Sequence, residues 1–149
     1  ASAQPWNRCD RDAVLAAVRQ QGMELRNAAA ELRDDPSVVM TAVERDGAAL
    51  EFASPRLRAD RHVVLTSVRL AGWALQHAAP PLQADREVVL AAVQRSGWAL
   101  AFAAPALRAD REVVLAAVRH NGLALREAAH ELQEDPEIVA AASWRSQRV

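Results

Sequence analysis

The sequence contains no lysine: all 18 basic residues are arginine, set against 19 acidic ones for a net charge of −1. A chain with no basic surplus is not built to hold nucleic acid or an anionic membrane by bulk electrostatics. Cysteine occurs once, as Cys9, which excludes an intrachain disulfide framework and any multi-cysteine zinc site. No apolar run approaches the ~20 residues needed to span a bilayer. Stretches such as Val88 to Val93 are single helix faces, so the chain is expected to be soluble or peripheral. Chemical motifs are missing too, with no glycine-rich phosphate loop, no G-x-S-x-G and no H-E-x-x-H. His62, His77, His120 and His130 lie at unrelated places without a thiolate partner, and Cys9 has no evident base. The expectation is a non-enzyme with no catalytic, cofactor or metal residues. Acidic pairs such as Asp34/Asp35 and Glu134/Asp135 read as helix caps on a solvated edge.

What the chain does have is a period. Asp10, Asp35, Asp60, Asp85, Asp110 and Asp135 are each 25 residues apart, and the five glycines, Gly22, Gly47, Gly72, Gly97 and Gly122, keep the same step. A fixed period of this size marks one small supersecondary unit stacked on copies of itself. Counting each Asp as offset 0, offsets 4, 5 and 8 are aliphatic in every complete unit, offsets 15 and 22 are Leu, and offset 18 is Ala. Steps of three and four place these on one helical face, and no period-two strand pattern occurs.

The polar and breaking residues define the helices. Asp at offset 0 is a good N-cap, and Pro36 and Pro136 directly after it stand where proline costs little. A helix of about ten residues then runs to the offset-12 glycine, which is expected to take the left-handed conformation that ends many helices. Offsets 13 to 18 form a second, shorter helical stretch. Pro55, Pro80 and Pro105 at offset 20 break it and start a single turn that reaches the offset-22 Leu. The fold class expected is all-α: a short-unit α-solenoid with 25-residue repeats, each one α-helix plus one short α or 3-10 helix.

With no Gly, Pro or Ser-rich linker, residues 1–149 read as a single repeat domain. Residues 1–9 form an N-terminal cap, 10–34, 35–59, 60–84, 85–109 and 110–134 are full repeats, and 135–149 are a partial repeat with a C-terminal cap. A lone unit buries too little to fold; neighbours must cover each other's faces. The last unit loses the pattern at Ala140 and Ser143, as suits a terminal helix with no following neighbour.

The middle of the array is greasier than its ends. Units 1 and 5 carry Glu31, Asp34, Glu131 and Glu134 where the central units have Arg56, Ala59, Pro81, Ala84, Ala106 and Ala109. Trp73 and Trp98 share offset 13, with Leu70 at a mostly polar position and Phe102 one turn beyond Trp98. Equal offsets stack side by side, so the two tryptophans are expected to form a ladder. That ladder is read either as packing between units or as an exposed aromatic stripe that anchors a protein partner. Trp6 and Trp144 flank the array and read as covers for its open ends, or as side chains inserted into a neighbouring protein. The candidate partner-binding residues are therefore Leu70, Trp73, Trp98, Phe102, Trp6 and Trp144.

The unit D-R-E-V-V-L-A-A-V-x-x-x-G-x-A-L-x-x-A-x-x-x-L-x-A, clearest at Asp85 and Asp110, resembles a tandem helical repeat family known as domain of unknown function 4116. The Asp, V-V-L, Gly, A-L and Leu positions coincide over nearly the whole of residues 10–144. The unit is also similar in plan to leucine-rich repeat variants, which alternate an α-helix with a 3-10 helix. The resemblance implies a helical array without assigned catalytic residues. It carries a fold expectation and no site; if the source is photosynthetic, the expectation is an imported accessory subunit of a larger, thylakoid-type complex with protein partners. The chain opens with Ala1 and not Met, which fits import into an organelle such as a plastid after removal of a presequence. The expected function is a non-catalytic interaction or scaffold subunit, with peripheral but not spanning membrane association. The alternative is a base-reading array. The pair before each glycine varies as a code would, from Gln20–Gln21 to His120–Asn121, but Leu70–Ala71 offers a base edge nothing. Nucleic acid is the less favoured partner.

Overall fold

A computed structural model describes residues 6–146, with side chains as far as Ser143. Among the described residues there are only helices and turns, in one motif repeated along the chain. Each unit opens with a long helix: Arg11–Gln20, Pro36–Arg45, Arg61–Leu70, Arg86–Arg95, Arg111–His120 and, in the sixth, Pro136–Ser146. A 3-10 segment follows, Gly22–Asn27, Gly47–Phe52, Gly72–His77, Gly97–Phe102 or Gly122–Glu127. A single helical turn, such as Pro80–Gln83, completes the unit.

The start of each long helix is set by its aspartate. Asp85 accepts on Oδ1 from the N–H groups of Glu87 at 3.1 Å and Val88 at 3.2 Å, and the other five repeat aspartates do the same. These are two of the donors that a helix N-terminus otherwise leaves without partners. The break before the final turn is not owed to proline alone. Ala29 and Ala129 take the same extended conformation before Ala30 and His130 as Ser54, Ala79 and Ala104 do before Pro55, Pro80 and Pro105. Each of these five residues donates its N–H to a carbonyl 21 positions earlier, Ala29 to Arg8 ahead of the first unit and the other four to the preceding unit, as Ala104 does to Gln83 at 2.9 Å and Ser54 to Arg33 at 2.9 Å. One backbone bond at every step thus ties the short-turn edge together along the array.

The glycines differ from expectation. No described residue has positive φ, and the long helices end on an extended residue at offset 11, such as Ser96 with φ −147°. Glycine is required for close approach instead. A Cβ on Gly72 would lie 2.5 Å from the Ala92 carbonyl oxygen, and one on Gly97 the same distance from that of Ala117. The next long helix packs its backbone directly onto each glycine.

The core is a continuous column. Val89, Val93 and Leu100 are fully buried, as are Val64, Val68 and Leu75 one unit earlier. Offset 3, which periodicity leaves out of the core, is buried too, at Val38, Val63, Val88, Val113 and Ile138. Ser67, fully buried, satisfies its hydroxyl by donating to the Gly47 carbonyl at 2.5 Å.

Candidate partner-binding surface

The array has two chemically distinct edges where the long helices begin and end. At the beginning, Arg61 donates from Nε to Oδ2 of Asp85, the cap of the next helix, at 2.8 Å, and from its other end to Glu87. Arg86 binds Asp110 and Glu112 in the same way, and Arg111 binds Asp135 and Glu137. Arg11 reaches Asp35 at 2.8 Å. Each arginine therefore clips its unit to the following one. Each carboxylate holds its own helix with one oxygen and the preceding unit with the other. The series is interrupted once: Pro36 stands at the arginine position of unit 2, and Asp60 receives no guanidinium among the described residues. The first junction carries an extra set, in which Ser54 and Arg56 both donate to Asp34, at 2.6 and 2.9 Å.

These contacts hold Asp35, Asp85 and Asp110 below the usual carboxylate range, the arginine bond being the largest cause. A lowered folded pKa contributes stability above the unfolded value, about 4. That stability disappears as pH falls through the folded value. Melting temperature is therefore expected to stay level from neutral pH to about pH 5 and to fall below about pH 4. The double variant Asp85→Asn, Asp110→Asn keeps both caps but not the charges, so its acid fall should be shallower. Identical slopes in variant and wild type would refute this role for the clips.

At the other edge residues before three of the glycines, in units 2, 4 and 5, bind neighbouring backbone. Arg95 donates from Nε to the Leu70 carbonyl at 3.1 Å, and Arg45 to that of Gln20 at 3.3 Å. His120 accepts on Nδ1 from the Gly97 N–H at 3.1 Å. Asp46 and Asn121 cap the 3-10 segments behind them.

Leu70 and Trp73 lie at this second edge and are 45% and 50% exposed. Trp98, at the same offset as Trp73, is half-buried, and so is Phe102. The expected tryptophan ladder does not form. Trp73 meets Phe102 edge-on instead, with ring centroids 6.0 Å apart and planes at 62°. The reason is reach: the indole of one 3-10 segment extends past its own level to the ring four positions further along the next segment. Trp6 packs, partly buried, against the core. The side chain of Trp144 lies outside those described. Two exposed apolar residues escaped sequence reasoning, Leu123 at 53% and Val139 at 38%. Leu123 shares offset 13 with Trp73, and that was the available signal.

Between the outer faces of successive long helices run open grooves. One, of about 480 Å³, is lined by Arg69, Glu87, Leu90, Ala91, Gln94 and Arg95. The next, of about 320 Å³, is lined by Gln94, Ala116, Arg119 and His120. Among the described residues no three His, Cys, Asp or Glu side chains come together as metal ligands do. No helix is long and apolar enough to cross a membrane, again among the described residues.

Fold and surface together define a tandem helical repeat array whose units are stitched by their own backbone and ion pairs. The chain belongs to the family described as Domain of unknown function (DUF4116), whose model matches three times in tandem, over residues 10–58, 60–108 and 110–142. Each full match spans two of the 25-residue units. No curated protein and no solved structure matches the chain.

Proposed function

We propose that this protein is a non-catalytic scaffold, an accessory component of a larger assembly that grips a partner protein through Leu70, Trp73, Trp98 and Phe102. One observation carries the reading: Leu70 is about half exposed at the position where the other units place Gln20, Arg45, Arg95 and His120, and the equally exposed Trp73 stands three residues beyond it. Large apolar side chains held out on rigid elements are what interface hot spots are made from. The backbone ladder and the clips supply the rigidity. Of the residues that a base-reading array would present before each glycine, Arg45, Arg95 and His120 are engaged with neighbouring units and Leu70–Ala71 offers a base edge nothing, which favours a protein partner over nucleic acid.

The test is native co-purification after a high-salt wash, with wild type beside the double variant Leu70→Ala, Trp73→Ala. A stoichiometric set of proteins is expected with wild type and not with the variant. Half of each side chain is exposed, so Leu70→Ala should cost about 1 kcal/mol and Trp73→Ala, which also loses the contact with Phe102, about 1–2 kcal/mol, and circular dichroism should show the variant folded. Partners retained by a folded variant, or nucleic acid alone bound before the wash, would overturn the proposal.

A further inference from the structure

The charge of the array is not evenly spread. Units 3 and 4 hold five arginines, Arg61, Arg69, Arg86, Arg95 and Arg108, against three acids, Asp60, Asp85 and Glu87, although the whole chain carries −1. Two of those acids are already bound by Arg61. Of the other arginines, Arg86 binds Asp110 and Glu112, while Arg69 and Arg95 line the first of the two grooves described above. Arg119, of unit 5, lines the adjacent groove, and Gln94 borders both, so the two form one grooved face. Among the described residues none of the three pairs with a carboxylate, and the one acid lining the groove, Glu87, is neutralised by Arg61.

The floor of the groove is apolar, made by Leu90, Ala91 and Ala116. Its rim joins the exposed Leu70, whose carbonyl Arg95 holds at 3.1 Å. We infer that this groove docks an acidic amphipathic segment of a partner protein. Its carboxylates meet Arg69, Arg95 and Arg119 while its apolar side chains lie on Leu90, Ala91 and Ala116 and against Leu70. A phosphate backbone fits less well. The floor offers it no donors, and the arginine row is interrupted at the same helix position by Glu44 and Gln94. The inference rests on the partner-binding reading and names the chemistry of the partner.

The probe is a synthetic amphipathic helix with Leu on one face and Glu on the other, labelled for fluorescence anisotropy with the full chain. Three comparisons accompany it: the same peptide with Gln for Glu, the same with Lys for Glu, and a single-stranded RNA oligonucleotide. The Glu peptide should bind at least about tenfold more tightly than the Gln peptide, and added salt should shrink that margin. The double variant Arg69→Glu, Arg119→Glu touches two side chains without a carboxylate partner among the described residues, so it should stay folded by circular dichroism and lose the margin. Equal binding of the Glu and Gln peptides, preference for Lys, or binding of the RNA alone would overturn the inference. Native co-purification separates the two proposals. If the Arg69/Arg119 variant keeps its partner proteins while the Leu70/Trp73 variant loses them, the partner surface stands and the acidic groove falls.

Discussion

Replacing Gly97 by Ala should lower stability by about 2–3 kcal/mol. For a chain of this length that is about 5–10 °C in melting temperature. The direction is opposite to the usual one. Gly97 does not have positive φ, so alanine fits its backbone, and the lower entropy of the unfolded chain would by itself add about 0.4–1 kcal/mol. Contact decides the sign. The new methyl carbon would stand 2.5 Å from the Ala117 carbonyl oxygen, 3.1 Å from Cβ of Asn121 and 3.2 Å from its nitrogen. Two of these are backbone atoms of the next long helix and its cap, so the junction must open rather than a side chain turn aside. Gly47 and Gly72 meet the Ser67 and Ala92 carbonyl oxygens at 2.6 and 2.5 Å, so each should behave alike. Urea unfolding followed by circular dichroism measures it. A Gly97→Ala protein as stable as wild type would show that units tolerate wider spacing.

Leu100→Ala is expected to cost about 3–4 kcal/mol. Its side chain is fully buried in the continuous core, which holds leucines, valines and alanines on every side along the array. Because each unit is stabilised by its neighbours, the loss should also split the array, with the units on either side melting apart. In a background with Trp6 and Trp144 replaced by Phe, tryptophan fluorescence reports the centre through Trp73 and Trp98 and should then part from circular dichroism, which reports every helix. Leu123→Ala is the matched comparison. That leucine is 53% exposed in the next 3-10 segment, and its removal should change stability by no more than about 0.5 kcal/mol. Equal losses at the two leucines would mean that the column is not what holds the array together.

The fold was legible because its determinants are local. An aspartate that caps its own helix, or a proline that opens a turn, acts within three residues, and the 25-residue period multiplies each signal. What sequence reasoning got wrong involves the adjacent unit. Glycine at offset 12 looked like a conformational requirement, whereas its constraint is the carbonyl of a helix 20 residues ahead. The arginines beside the aspartates reach across a junction to a carboxylate 24 residues on. Trp73 finds Phe102 and not Trp98 for the same reason: period fixes which residues are equivalent, while the stagger between units fixes which of them touch. Leu70 stood out in the sequence because it departs from its mostly polar equivalents, and Trp73 and Trp98 because two units alone carry Trp at that offset. Departure from a repeat is a signal that a single copy could never give.

The bonds that join one unit to the next all close similar distances along the chain. Ala104 binds Gln83 across 21 positions, Ser67 binds Gly47 across 20, and Arg86 binds Asp110 across 24. Forming the array thus never requires two remote segments to find each other, and the entropy of bringing partners together is the same at every junction. Lengthening it by another 25 residues would add one more step of equal difficulty rather than slow the steps before it. The backbone ladder that holds the units also makes the number of units a freely variable quantity, so reach can change without change in the way the chain folds.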